Sequence, residues 1–527
     1  MKVLMLGWEF PPHISGGLGT ACQGLTRGMA HTDVETLFLV PRSYGDEEAH
    51  WMDLVGANQV VHRRAHATET RVATESTEEI HREAQPAGSL DSTPPALPRR
   101  TSPSTLTEPL GASGTSHVRM LPVDSPLTPY LTASQYAERL ERFAKDPNGR
   151  ELLEGEADSD GEQASRAPAD AGSWLELAIR IGEAVQQGVR FQDETFDLGG
   201  GYGAGLFDEV ARFAMAAAEV AAGQEFDLVH AHDWITYPAG VAAARAKGVP
   251  LVVHLHATEF DRTGDNPDGR VSEIERMGLT AADRVICVSH YTARIAERRY
   301  GVDPKRIRVL HNAVTQKEQR AQWHTERTIA DPIVLFLGRV TLQKGPEYFL
   351  EAAAKVVAER PRTRFVISGS GDMLPGIILR AARMGLAQNV FFTGFLRGKD
   401  VEKMYAMADL YVMPSVSEPF GITPLEAMAL DVPVIVSRQS GVSEILSNAL
   451  KVDFWDTEEL ANKMLAALEY GPLRSQLVDS GREEVRRMRW ELRADVLREY
   501  YREVLEPTQQ NFSLASPASP TTGIATL

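Results

Sequence analysis

Two carboxylates and two cations in the second half of the chain are spaced for chemistry. Glu418 and Glu426 stand in "SEPFGITPLEAMAL" with seven residues between them, and Arg339 and Lys344 stand in "FLGRVTLQKG" with four between them. The cations follow an apolar run ending at Gly338, so they lie just past a strand's carboxyl end, where doubly wound sheets bind ligands. Arg forks onto two phosphate oxygens and Lys supplies a point charge; the alternative is a pair of solvated surface cations. Pro419 and Gly421 punctuate a loop, after which Thr423, Pro424 and Glu426 fit the N-cap, first and third positions of a helix. On that reading Glu426 is the acid of a capping box. Glu418 has no such local role. Taken together, the helix start and the two cations suit a diphosphate, while the carboxylates suit paired hydroxyls. Fixed cations can neutralise such a leaving group, so no metal is expected.

The first half carries its own candidates. "HISGGLGTACQGL" follows the first strand, and Gly16, Gly17 and Gly19 let backbone N–H groups approach an anion at a helix N-terminus. The order GxGxxG is missing, and a tight strand-to-helix turn is the competing reading. His230-Ala231-His232-Asp233 and His254-Leu255-His256 are two pairs in alternation. Alternate residues on a strand share a face, so each pair can present two imidazoles to one metal, as a metal-dependent hydrolase would require. Strand-end histidines at a cleft mouth are favoured instead, because no carboxylate or Cys cluster completes a shell. "GGGYGAG" at 199–205 follows no strand and reads as a hinge; Asp158-Ser159-Asp160 lies in an acidic low-complexity tract and reads as chance.

These residues need elements to hold them. "KVLMLGW", "ETLFLV", "DLVHAH", "PLVVHLH", "RVICVS" and "IRVLHN" read as strands, followed later by "PIVLFLG", "RFVISGSG", "VFFTGF", "LYVMPS" and "PVIVS". Runs apolar almost throughout belong to parallel sheets buried on both faces. Amphipathic stretches between them complete two doubly wound α/β domains. The expected division is 1–311 and 333–485, with a linker at 312–332, a C-terminal helix at 486–505 returning toward the first domain, and a disordered tail at 506–527. Residues from about 62 to 190, rich in Ser, Thr, Pro, Glu and Ala, read as a largely disordered insertion, with one helical island at "TASQYAERLERFA".

Composition narrows the class. At 527 residues the chain needs more than one core, and its 43% hydrophobic content supplies them. A formal charge of −17 argues against nucleic acid as a partner. Two cysteines, Cys22 and Cys287, allow no disulfide framework and suggest a reducing compartment. The start is too short in apolar residues for a signal peptide, and no run reaches the ~18 apolar residues of a membrane span. A soluble, cytoplasmic protein is expected.

With these residues in place, the chain resembles the retaining GT-B glycosyltransferases of the large family that includes bacterial glycogen and starch synthases (family 4/5-like). Glu418 and Glu426 match the family's E-x7-E signature, Arg339 and Lys344 its Arg/Lys pair, His232-Asp233-Trp234 the synthases' "HDW", and "SGGLG" their glycine loop. The resemblance covers about 1–60 and 190–505. It implies two Rossmann-like domains facing across a cleft, the first on the acceptor side and the second holding the nucleotide sugar. Arg339 and Lys344 would bind the donor diphosphate and Glu426 the ribose. Gly16, Gly17, Gly421, Ile422 and Thr423 join the donor site. Glu418 would approach the donor sugar, His256 would lie beside the reacting carbon, and Asp233 near the acceptor. Front-face, metal-independent transfer of glucose from ADP- or UDP-glucose to an α-glucan is the expected reaction, with a small or lipid-linked acceptor as the alternative and no cofactor. Two departures stand out: Ile14 replaces a Lys of the synthases, and Asn312-Ala313-Val314 replaces their "NGV".

Overall fold

The computed structural model describes residues 1–12, 17–44, 172–189, 205–315 and 330–506, together with 47, 52–53, 118–120 and 198. Gly16, Ile14, the helical island at 132–144, Asp158-Ser159-Asp160, most of the 199–205 glycine run, most of the linker and all but the first residue of the tail lie outside the described residues.

The first domain is an eight-stranded sheet built from β1 (Lys2–Leu6), β2 (Glu35–Leu39), β3 (Met52–Asp53), β4 (Val118–Met120), β5 (Leu228–His232), β6 (Leu251–Leu255), β7 (Arg284–Cys287) and β8 (Ile307–Val309). Its order is β3-β4-β2-β1-β5-β6-β7-β8, and every pairing is parallel. The chain therefore reverses its winding between β1 and β5. Its helices are α1 (Gly17–Met29), α2 (Gly172–Gln186), α3 (Leu206–Gly223), α4 (Tyr237–Lys247), α5 (Glu259–Thr263), α6 (Gly269–Ala281) and α7 (His290–Tyr300). Alternation decides which helix meets which side chain. Leu4, Leu6, Val229 and Ala231 face α2, α3 and α4, whereas Val3, Leu228 and Val252 face the layer containing α1.

The second domain is a six-stranded parallel sheet of β9 (Ile333–Leu337), β10 (Arg364–Ser368), β11 (Val390–Gly394), β12 (Leu410–Met413), β13 (Val434–Ser437) and β14 (Leu450–Val452). Its order β11-β10-β9-β12-β13-β14 reverses between β9 and β12. Val334 and Phe336 pack toward α8 (Pro346–Glu359), α9 (Leu374–Arg383) and α12 (Thr457–Glu469). Ile333 and Leu335 pack toward α10 (Lys399–Met407), α11 (Thr423–Ala429) and α13 (Gly471–Arg486).

The last helix, α14 (Trp490–Leu505), leaves the second sheet and lies on α1 of the first domain. Trp490, Ala494, Leu497 and Tyr501 recur at helical spacing and are buried with Ala21, Leu25 and Met29. The fit depends on a missing side chain: a Cβ on Gly24 would sit 2.2 Å from the Trp490 indole.

Residues 172–189 correct the expected extent of the insertion. α2 buries Trp174, Leu177, Ala178, Ile181 and Val185 in the first domain's core. Those positions have a helical period, which a boundary drawn by bulk composition overlooks. β4, inside the same span, pairs with β2 from Thr36↔Val118 to Phe38↔Met120. Among the described residues no helix is long and apolar enough to cross a membrane.

Candidate active site

At the winding reversal of the second sheet, β9 runs into Gly338 and Arg339 and then a single turn at Leu342–Lys344. Gly345 ends that turn at φ 64°, and a Cβ there would lie 2.2 Å from the Pro414 carbonyl oxygen. Only glycine lets the turn press so closely on the end of β12. Leu337, Gly338, Lys344, Tyr411, Ser415 and Thr423 line the resulting cleft. The Lys344 ammonium is paired with the Glu418 carboxylate, which also accepts from the Ser415 hydroxyl at 3.2 Å. Glu418 is only 6% exposed, so its charge depends on these partners. Arg339 is exposed and makes no ion pair among the described residues.

The expected capping box does not form. The chain is already helical at Ile422 (φ −76°, ψ −33°), which occupies the cap position without a side-chain bond. The Thr423 hydroxyl accepts from the Tyr411 hydroxyl at 2.7 Å, and the Glu426 carboxylate accepts from the Tyr405 hydroxyl at 3.2 Å. Gly421 precedes them at φ 98°. Glu426 is half-buried one turn into α11.

Across from this cleft, Asp233 follows β5 at φ 65°, a strained backbone for a residue with a Cβ. One carboxylate oxygen accepts the backbone N–H groups of His256 and Ala257, each at 3.3 Å, and the other accepts from Arg262 at 3.2 Å. Arg262 also contacts Glu259 at 3.4 Å and Glu275 at 3.3 Å. Burial works against its charge, but the carboxylates of Asp233, Glu275 and Glu259 outweigh that and raise its pKa. Burial raises Asp233 and Asp261 and pushes Glu275 up to about 7, against the opposing pull of Arg262.

The histidine pairs form one column. His230 and His232 project from β5 onto the same face as His254 of β6, with His256 just beyond. Burial lowers His230 and His256 to about 3 and His232 and His254 well below the ordinary value, so all four rings are neutral. Nitrogens of His230, His232 and His254 lie within 4.8 Å of one another, yet the rings do not suit a shared ion. A ligating imidazole directs its lone pair in the ring plane. His230 and His254 stack, with planes 10° and centroids 5.4 Å apart, and His232 is tilted by 33° and 31° from them at 4.3 and 5.2 Å, so the rings lie largely face to face.

Several hydrogen bonds bring the two half-sites together. Ser417, beside Glu418, donates to Asp261 at 2.6 Å and lies 2.9 Å from the Tyr291 hydroxyl. Ser289, the N-cap of α7, donates to the Pro419 carbonyl at 2.6 Å. Glu444 accepts the backbone N–H groups of His290 and Tyr291 at 2.9 and 2.6 Å. The Glu418 loop is thus docked on α5, through Asp261, and on the start of α7. Lys344 and Thr423 line one cleft, Glu418 is charge-paired with that Lys344, and Arg339 is exposed on the loop that follows β9. Gly17 opens α1 with open space around it.

Sequence reasoning missed Arg262, Asp261, Glu275, Ser417 and the two tyrosines. Thr258-Glu259-Phe260-Asp261 was legible as a capping box, which the structure forms completely. Glu275, Tyr405 and Tyr411 have no local signal.

Two family descriptions match along the chain: Glycosyltransferase Family 4 at residues 198–317 and Glycosyl transferases group 1 at 318–484. The chain is 32% identical over 237 residues to an uncharacterized glycosyltransferase of Methanocaldococcus jannaschii, covering 42% of this chain and 60% of that protein. It is 30% identical over 321 residues to a D-inositol 3-phosphate glycosyltransferase of Salinispora arenicola, covering 55% of this chain and 71% of that one. Two solved structures resemble the whole fold at 16% identity. The sucrose-phosphate synthase of Thermosynechococcus elongatus has a TM-score of 0.57, covering 95% of this chain and 98% of that one. An Anabaena protein solved in complex with UDP and glucose has a TM-score of 0.55, covering 95% and 100%. With two parallel-sheet domains of the GT-B type and relatives matching across both, the chain belongs to the group 1, family 4-like glycosyltransferases.

Proposed function

We propose that the protein is a retaining, metal-independent glycosyltransferase that moves a sugar, glucose by preference, from ADP- or UDP-glucose to an α-glucan. The observation that supports this reading is the charge pair of Lys344 with Glu418 beside the cleft that Lys344 and Thr423 line at the β9–β12 reversal, with Arg339 exposed on the loop after β9. Arg339 and Lys344 hold the diphosphate, and Glu426 takes the ribose hydroxyls. Glu418, already charge-paired with Lys344, accepts from the donor sugar's hydroxyls. His256 and Asp233 border the reacting carbon and the acceptor from the first domain.

In this reading the acceptor hydroxyl attacks the anomeric carbon from the face the diphosphate leaves. The bond from that carbon to phosphate oxygen breaks as the bond to the acceptor oxygen forms, and the leaving phosphate takes the acceptor's proton. The two cations stabilise the charge gathering on the diphosphate, which is the work a metal does elsewhere. Relatives named for D-inositol 3-phosphate favour a second reading, a small hydroxyl acceptor.

The test is release of free nucleotide diphosphate from a panel of nucleotide sugars, with glycogen, maltooligosaccharides or inositol phosphate as acceptors, with and without chelator. Glucan-dependent release unaffected by chelator is expected. Release that collapses with chelator defeats the metal-independent mechanism; release with inositol phosphate alone favours the second reading.

A further inference from the structure

His232 and His256 are joined ring to ring, with Nδ1 of His232 2.9 Å from Nε2 of His256. One of them donates, and the surroundings of the two rings favour His232 as the donor. Each neutral ring carries one N–H. His232 is fully buried, and its Nε2 meets no hydrogen-bond partner among the described residues. A proton on that Nε2 would leave a buried donor unpaired. A proton on Nδ1 is donated to His256 and leaves only a bare lone pair, the better tolerated of the two. The ring of His232 is also held against turning. It packs between His230 and His254, at centroid distances of 4.3 and 5.2 Å, while its backbone is held by the bond that its carbonyl accepts from Thr236 at 2.8 Å.

We propose that His232 is a positioning residue: it donates from Nδ1 to His256 Nε2 and so keeps the proton of His256 on Nδ1. His256 then carries its N–H on Nδ1, the ring nitrogen that His232 does not engage, and is unable to accept a proton there. The backbone of His256 is fixed in the same way, by its N–H bond to Asp233. A donor at this place suits a sugar hydroxyl or an oxygen gaining negative charge, and it leaves the acceptor's proton to the phosphate. The role assigned to His256 rests on the proposed transferase reaction; the direction of the hydrogen bond does not.

The test is a long-range proton–nitrogen NMR correlation on the full-length protein labelled with ring-15N histidine, with His256 assigned by the signals lost in His256→Gln. A protonated Nδ1 and a bare Nε2 are expected. His232→Phe should shift the His256 proton toward Nε2 and lower kcat on the order of ten-fold, with little change in donor KM. His232→Asn, whose amide nitrogen stands near the place of Nδ1, should restore the Nδ1–H form and most of the lost turnover. A wild-type His256 protonated on Nε2 overturns the proposal without any variant having to fold. A His232→Phe enzyme that keeps both the proton pattern and kcat overturns it as well. A wild-type protein with the Nδ1–H form and no transfer to any acceptor defeats the transferase reading and leaves the hydrogen-bond assignment standing.

Discussion

Lys344 and Glu418 form an ion pair across the carboxyl ends of β9 and β12, although 73 residues separate them along the chain. Arg339, five residues before Lys344, is exposed and has no such partner among the described residues. The two cations should therefore respond differently to removal. Arg339→Ala should leave the melting temperature unchanged while raising the reaction barrier by roughly 2–4 kcal/mol, because its charge acts on the leaving phosphate. Lys344→Ala should lose turnover similarly and also cost about 1–3 kcal/mol of stability, because a buried carboxylate is left without its cation. Thermal melts and steady-state kinetics on both variants check this; matching melting losses would show that Arg339 is structural too.

α2 provides a test of the boundary between core and insertion. Ile181 is fully buried against α4, so Ile181→Ala should destabilise the protein by about 2–5 kcal/mol. If residues up to 190 were a loose insertion, the same change would be silent in a denaturant titration.

What could be read from the chain depended on how local each cause was. Strands buried on both faces announced themselves: "IVLFL" of β9 and "LVVHL" of β6 are apolar because helices cover both sides. β14 ("LKV") and β4 ("VRM") are three residues long with a charge in the middle, too little pattern to stand out. The place of Lys344 in the cleft was legible because a strand end followed by basic residues is itself a local arrangement. The helix start at Thr423 was misread for the opposite reason. Its Thr-Pro-Leu-Glu spacing fits a capping box, but Tyr411 from β12 and Tyr405 from α10 engage its two polar groups. Glu275 reaches Arg262 only through packing of α6 against α5, which no sequence period encodes.

Glu275 should make stability depend on pH. Burial lifts its carboxyl from an ordinary 4.5 to about 7, so the folded state binds this proton more tightly than the unfolded chain does. Where the folded state holds more protons, stability falls as pH rises. The contribution is fully present below about 4.5 and lost progressively as pH climbs to about 7. The gap corresponds to at most roughly 3–4 kcal/mol. Glu275→Gln, which has no titrating proton and keeps one accepting oxygen, should flatten the dependence between those limits. Denaturant unfolding at several pH values tests it, and parallel curves for the two proteins would remove Glu275 as the cause.

Glu426 and Glu418 differ in what they touch, and conservative amides separate their roles. Glu426 accepts from Tyr405 at 3.2 Å, and a glutamine can keep that bond, so Glu426→Gln should barely move the melting temperature. If the second carboxylate oxygen takes a ribose diol, the same change should weaken nucleotide diphosphate binding by about 1–2 kcal/mol. Glu418→Gln disturbs more, because the amide no longer balances the Lys344 charge. It should lower turnover strongly, and the freed ammonium should hold a free nucleotide diphosphate at least as tightly as before. Calorimetric titration of both variants with nucleotide diphosphate decides between the roles. Unchanged affinity in Glu426→Gln would reduce that carboxylate to a partner of Tyr405, and weakened affinity in Glu418→Gln would place Glu418 on the nucleotide rather than on the sugar.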